Sequence, residues 1–185
     1  PIWVPGTASP ETALWAGRKG YTYVPFLVPI PIARELFEYY RQGASEAGRE
    51  VTPDKLGFLL CAVAADTTEA AMAAGRYFEW RMGPTTRGPV EYFAPPGIRT
   101  RAGQRMALRT RPPNMLTMSY EEKVANDLIV AGTPEYLVDR FEYFRRELGI
   151  GHLLLQGHES KMSHPTTMRS IELIGKKVIP ALTRD

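Results

Sequence analysis

The residues best suited to chemistry are two hydroxyls near the start of the chain, in Ser9-Pro10-Glu11-Thr12. Ser9 has the chemistry of a helix N-cap, and Pro10 fits the first helical position, where its missing N–H costs nothing. Glu11 suits the positive end of the helix dipole. The preceding Pro1-Ile2-Trp3-Val4 reads as a short buried strand, closed by Pro5-Gly6. A strand that enters a helix this way leaves free backbone N–H groups and the hydroxyls of Ser9 and Thr12 at one helix N-terminus. Such a place accepts a phosphate. The same residues also read as a capped turn without a ligand, since most N-caps bind nothing.

Other reactive side chains are sparse. His152, His158 and His164 are spaced by six, which does not put them on one helical face. No carboxylate completes a zinc spacing, so no metal site is expected. His158 and His164 fall in a loop after a strand, where a histidine serves as a general acid, as a substrate contact, or simply as a surface residue. Glu159 and Lys161 in that loop suit substrate orientation or plain solvation. Cys61 lies in the apolar run Leu56 to Ala64 and reads as a buried core thiol. Ser9, Ser119 and Ser163 lack a nucleophile-elbow context, so nothing supports a hydrolase. Gly132-Thr133-Pro134 lacks the glycine spacing and the lysine of a nucleotide loop.

Composition sets the frame for these groups. The 185 residues suffice for one domain with a real core, and 44% apolar with 23% charged residues is ordinary for a globular protein. No apolar run approaches a membrane span, and no secretory signal is present. A single cysteine excludes an internal disulfide and fits a reducing cytoplasm, so a cytoplasmic location is expected. The net charge of +3 is mild. Arg99, Arg101, Arg105, Arg109 and Arg111 cluster, but without interleaved aromatics or a binding motif, so nucleic acid is not expected as a partner. The chain begins at Pro1 and runs straight into a buried-looking strand, which leads us to expect further residues upstream.

The positioning elements alternate. Tyr21 to Phe26 reads as a second strand, and a helix follows from about Ile32 to Ala47, closed by Gly48. Leu56 to Ala64 is apolar on both faces, as a covered parallel strand should be. Asp66 and Glu69 fit a capping box for an alanine-rich helix running from Thr67 to about Trp80. Residues from Gly83 to about Pro113 are rich in proline and glycine and read as a loop insertion, with helix resuming around Tyr120 to Asn126. Leu128 to Gly132 leads into a second cap, Thr133-Pro134-Glu135, and a helix striped by Leu137, Phe141, Phe144 and Leu148. His152 to Gln156 is the last strand. The final helix opens at Pro165, with a face of Met168, Ile171, Ile174 and Val178, and Pro180 is expected to stop it. Four strand–turn–helix units emerge, at residues 1–19, 21–48, 55–80 and 152–179. They predict an α/β fold with a parallel sheet, either half of a (β/α)8 barrel or a small open sheet.

Four stretches in order resemble the bacterial-luciferase-like flavin-dependent monooxygenases. They are Pro1-Ile2-Trp3-Val4 with Ser9 to Thr12 and Trp15 to Gly20; Val63 to Ala70; Val130 to Glu135, running through Phe141; and Ser170 to Pro180. The match is to the carboxy-terminal half of that family and covers nearly the whole chain. The resemblance implies a TIM barrel of which this chain, as a single domain over 1–185, supplies about the last four strand–helix units. It implies reduced FMN, or in some branches a deazaflavin, at the carboxyl ends of the strands. Ser9 and Thr12 match a serine and a threonine that hold the flavin phosphate in luciferase-like members. An acidic residue that precedes this serine in some members is Ala8 here.

The implied activity is oxidation of a small organic substrate with molecular oxygen, using electrons from NAD(P)H passed on by a separate flavin reductase. Phe26 and Asp66 then lie where strand ends line the substrate pocket, and His158 is the candidate catalytic side chain. The family's first four strands are absent, and a half barrel leaves two open apolar edges. It is expected to pair with a missing amino-terminal half or to form a homodimer. Two other readings share the fold: a non-catalytic half-barrel that dimerises, and a deazaflavin-dependent dehydrogenase.

Overall fold

The computed structural model describes residues 1–7, 9–82 and 118–183. The predicted insertion from Gly83 to Pro113 and its arginines lie outside the described residues. Strand β1 (Trp3–Gly6) leads into helix α1 (Pro10–Lys19), which Ser9 caps at its start and Gly20, in the left-handed region, at its end. Strand β2 (Thr22–Pro25) pairs parallel to β1, with Trp3 opposite Thr22 and Gly6 opposite Pro25. Helix α2 (Ile30–Glu46) begins at Pro29, with Pro31 in its first turn. Both prolines that end the strand therefore open the helix, at positions whose N–H groups have no intrahelical acceptor.

Helices α1 and α2 touch backbone to backbone. Gly17 faces Tyr40 and Ala44, and Gly43 faces the carbonyl group of Leu14. A Cβ on Gly43 would stand 2.8 Å from the carbonyl carbon of Leu14, well inside contact distance.

Strand β3 (Gly57–Ala64) is the centre of the sheet. Leu59 pairs with Phe26 on one side and Leu154 on the other; Cys61 pairs with Ile129 and Gln156 in the same way. Strand β2 thus takes the first half of one edge of β3, and β4 (Ile129–Gly132) takes the second half. Strand β5 (His152–Gln156) takes the other edge. All of these pairings are parallel, so the carboxyl ends of the strands point the same way.

Side chains alternate along β3 between two cores. Phe58, Leu60, Ala62 and Ala64 pack into one with residues of α1, α2 and α6 (Pro134–Leu148). Cys61 and Val63 pack into the other, with α3 (Thr68–Gly75), α4 (Phe78–Met82) and α5 (Tyr120–Ala125). This double burial is what an uninterrupted apolar strand requires. Cys61 is buried, as its sequence context predicts.

The sheet is curled. Trp3 on β1 and His152 on β5 belong to strands that do not pair with each other, yet their rings lie 4.8 Å apart. Gly57 on β3 sits between β2 and β5, where a Cβ would meet Val24, His152 and Leu154 at 3.2–3.5 Å.

Four local expectations are corrected. The alanine-rich helix breaks after Gly75 into α3 and α4, and its cap is Thr67, not Asp66. Thr67 accepts from the N–H of Ala70, while Asp66 is drawn away by Arg169. The final helix starts as α7 (His164–Leu173), passes through a π turn over Ile174–Val178, and ends as α8 (Ile179–Leu182). Pro180 does not stop it; the wider turn ahead of the proline accommodates the missing N–H. Its buried face is Ser170, Leu173 and Val178, whereas Met168 and Ile171 are exposed. The Ser170 hydroxyl accepts from the Ala64 N–H at 3.0 Å, and this contact turns the helix away from the predicted stripe.

Candidate active site at the carboxyl ends of the strands

Because the strands run parallel, the segments after β1, β2, β3 and β5 emerge at one end of the sheet. That end carries Ser9 and Thr12, Phe26, Asp66 and His158, the residues singled out in the sequence. Around Ser9 the geometry is complete. Its Oγ accepts from the Thr12 N–H at 3.2 Å and from the Thr12 hydroxyl at 2.9 Å, and donates to the Glu11 carboxylate at 3.1 Å. A hydroxyl has one proton and two lone pairs, so the whole capacity of Ser9 is used. Its one proton is directed at an anion. The chemistry of this donor set, at the positive end of a ten-residue helix, fits a phosphate group in the place the Glu11 carboxylate occupies.

Beneath the turn, the Tyr23 ring packs so closely under Gly6 that a Cβ there would meet ring carbons at 2.9 Å. Among the described residues the buried Tyr23 hydroxyl has no hydrogen-bond partner, and burial pushes its pKa upward.

Phe26 is half-buried at the end of β2, its N–H bonded to the Gly6 carbonyl at 3.1 Å. Leu27 follows in the left-handed region at φ 50°. Such a conformation is costly for a residue with a Cβ and is often held at functional sites. Sequence reasoning missed it, because a glycine or asparagine is the usual sign of that backbone. The Leu27 N–H donates to the Leu59 carbonyl at 3.2 Å, which pins the strained residue to β3.

Asp66 is exposed and forms a two-pronged pair with Arg169, at 2.9 and 2.5 Å. Hydrogen bonding to Arg169 holds its carboxyl below the usual range, so it is a fixed negative charge. Arg169 also reaches Glu172, which in turn accepts from Lys176, so the segment after β3 is tied to α7 through a chain of ion pairs.

The three histidines separate. His152 stands at the start of β5, at the opposite end of the strand, with Nε2 3.1 Å from the Asp54 carbonyl. His164 is the first residue of α7, after the cap Ser163. His158 is exposed in the loop after β5, with Nδ1 2.9 Å from the Thr167 hydroxyl. Glu159 beside it is buried and accepts from the Ser160 N–H at 2.9 Å, whereas Lys161 is exposed. Among the described residues, no helix is long and apolar enough to cross a membrane.

The sequence model described as luciferase-like monooxygenase matches residues 1–152. The chain belongs to the luciferase-like monooxygenase family. Similar solved structures agree on the fold. Monooxygenase RslO1 from Streptomyces bottropensis superposes with a TM-score of 0.68 at 18% identity, covering 97% of this chain and 47% of that one. The oxygenating constituent of 3,6-diketocamphane monooxygenase from Pseudomonas putida, a type II Baeyer-Villiger monooxygenase in complex with FMN, gives 0.66 at 19% identity, over 97% and 48%. Coenzyme F420 dependent tetrahydromethanopterin reductase from Methanopyrus kandleri gives 0.64 at 19% identity, over 99% and 51%. A search of the curated proteins gave no significant match. This luciferase-like chain thus spans about half the length of the structures it resembles.

Proposed function

We propose that this luciferase-like chain forms the carboxy-terminal half of a (β/α)8 barrel that binds a flavin by its phosphate at Ser9 and Thr12 and oxidises a small organic substrate. The observation that carries the reading is the Ser9 hydrogen-bond set, whose one proton already serves an anion at the α1 N-terminus. The curl that brings Trp3 to His152 supports a barrel-type sheet over a flat one. The bound flavin supplies the oxygen chemistry, and the protein supplies orientation and a dry site. Ser9 redirects its proton from Glu11 to a phosphate oxygen, and Thr12 turns its own proton from Ser9 to the same group. Phe26 and Leu27 form an apolar wall, Asp66 contributes a fixed charge at the rim, and His158 offers an imidazole to the substrate.

The remaining strands come from an amino-terminal half or from a second copy of the chain, and the reductant reaches the flavin through a separate flavin reductase in the cytoplasm. A second reading, a deazaflavin-dependent dehydrogenase, is favoured by the likeness to the tetrahydromethanopterin reductase. Calorimetric titration with FMN and with a deazaflavin, on the protein and on Ser9→Ala, tests both. Micromolar binding weakened by the substitution is expected, and the tighter ligand chooses between the two. Binding that ignores Ser9→Ala refutes the phosphate assignment.

A further inference from the structure

Thr167 lies in the first turn of α7, and its hydroxyl meets two partners. It is 3.1 Å from the Ser163 carbonyl oxygen and 2.9 Å from His158 Nδ1. A carbonyl oxygen only accepts, so the single Thr167 proton goes to Ser163. The Thr167 oxygen is then an acceptor toward His158, and Nδ1 carries the hydrogen. The reverse arrangement, with the hydroxyl donating to Nδ1, forfeits the bond to Ser163 and keeps one interaction where the first keeps two. A neutral imidazole has one N–H, so Nε2 is left as a bare acceptor. Among the described residues Nε2 has no hydrogen-bond partner, and the side chain is exposed. The loop backbone is held as well, since Gln156 Nε2 donates to the His158 carbonyl at 2.8 Å.

We propose that Thr167 is a positioning residue that fixes neutral His158 in the Nδ1–H tautomer, so that Nε2 serves as an acceptor for a substrate hydroxyl or amine. The proposal rests on the reading that the carboxyl ends of the strands hold the site. It narrows the role of His158, because a neutral imidazole held this way accepts a proton at Nε2 and does not donate one from it. On taking a proton, it keeps its bond to Thr167, which accepts from Nδ1–H in both charge states. A substrate carrying only carbonyl oxygens gains nothing from neutral His158, whereas one with an O–H or N–H does.

The test is the ¹⁵N spectrum of the histidine rings in the protein at a pH where imidazole is neutral, with the His158 signals identified by their loss in His158→Gln. We expect Nδ1 at the position of a protonated ring nitrogen and Nε2 at that of a bare one. In Thr167→Val the second tautomer becomes populated and the two shifts converge, while Thr167→Ser keeps the original pattern. A bare Nδ1 in the unmodified protein overturns the proposal, whatever the variants do. So does an unchanged spectrum in Thr167→Val, or convergence in Thr167→Ser. No flavin is present in this measurement, so failure of the phosphate reading in the titration leaves its outcome untouched, and the two failures are distinguishable.

Discussion

Replacing Gly43 by alanine should loosen the contact between α1 and α2, and the size of the effect can be worked out from the geometry. The added Cβ would lie 2.8 Å from the Leu14 carbonyl carbon and 3.0 Å from its Cα. Carbon atoms rest at about 3.5–4.0 Å, so the helices must part by roughly 1 Å. The obstacle is backbone and cannot rotate away as a side-chain tip would. Forced overpacking of this kind costs about 1–3 kcal/mol. Against it stands the gain from removing a glycine inside a helix, about 0.5–1 kcal/mol. The difference spans about 0–2.5 kcal/mol, and because the obstacle is Leu14 backbone the upper part applies, a net loss of about 1–2 kcal/mol.

Urea denaturation should report this as a lower midpoint with an unchanged slope. Gly17→Ala should behave alike, since its Cβ would meet the Ala44 nitrogen at 2.9 Å. The double variant should lose less than the two single losses added together, because one separation of the helices relieves both clashes. Gly175→Ala is the control: nothing lies within 4 Å of its Cβ position, so stability should hold or rise. A Gly43→Ala protein as stable as the parent would refute the claim that these glycines are required by close approach.

Three further expectations follow from the site and its supports. Glu11→Gln removes the carboxylate that now receives the Ser9 proton, and should tighten FMN binding roughly fivefold, the value of ~1 kcal/mol for two charges about 4 Å apart in water; unchanged or weaker binding by calorimetry would speak against a phosphate in that place. Tyr23→Phe removes a buried hydroxyl that has no partner among the described residues, so it should raise the thermal midpoint, by about 1 kcal/mol equivalent, and a lower midpoint would mean the hydroxyl is satisfied. Burial also raises Tyr23, Tyr40 and Tyr120, the last to about 12, above the ordinary 10.0. The unfolded chain then loses its phenolic protons first, so their contribution is complete below pH 10 and falls as pH rises beyond it; alkaline unfolding curves should show this decline, less steep in Tyr23→Phe.

Local signals in the sequence were the readable ones. Ser9 and Thr133 cap their helices, and Gly20 and Gly149 end theirs in the left-handed region, because each of these choices depends on residues within one turn. Strand β3 was legible from its unbroken apolar run. What escaped was decided at long range. Asp66 and Thr67 are equally good caps by type, and Arg169, 103 residues away, settles the matter by claiming Asp66. Met168 and Ile171 look like a buried stripe, but the face of α7 is fixed by Ser170 bonding to Ala64. The sharing of one β3 edge between β2 and β4 has no counterpart in any single segment. Within the site, the Ser9–Thr12 pair could be read from the turn, whereas the bond between His158 and Thr167 needed the loop to fold back on its helix.

That same bond from Ala64 to Ser170 has a consequence during synthesis. The two residues are 106 positions apart, and at ribosomal speeds of about 5–20 residues per second Ser170 is made roughly 5–20 s after Ala64. For most of that interval, until His152–Gln156 has been made, the β3 edge that β5 will cover stays unpaired on the nascent chain, with an apolar strand behind it. An unpaired strand edge is a template for sticking to other chains. Yield in the cell should therefore depend on how fast translation proceeds between these two points and on how well holding chaperones occupy β3 in the meantime.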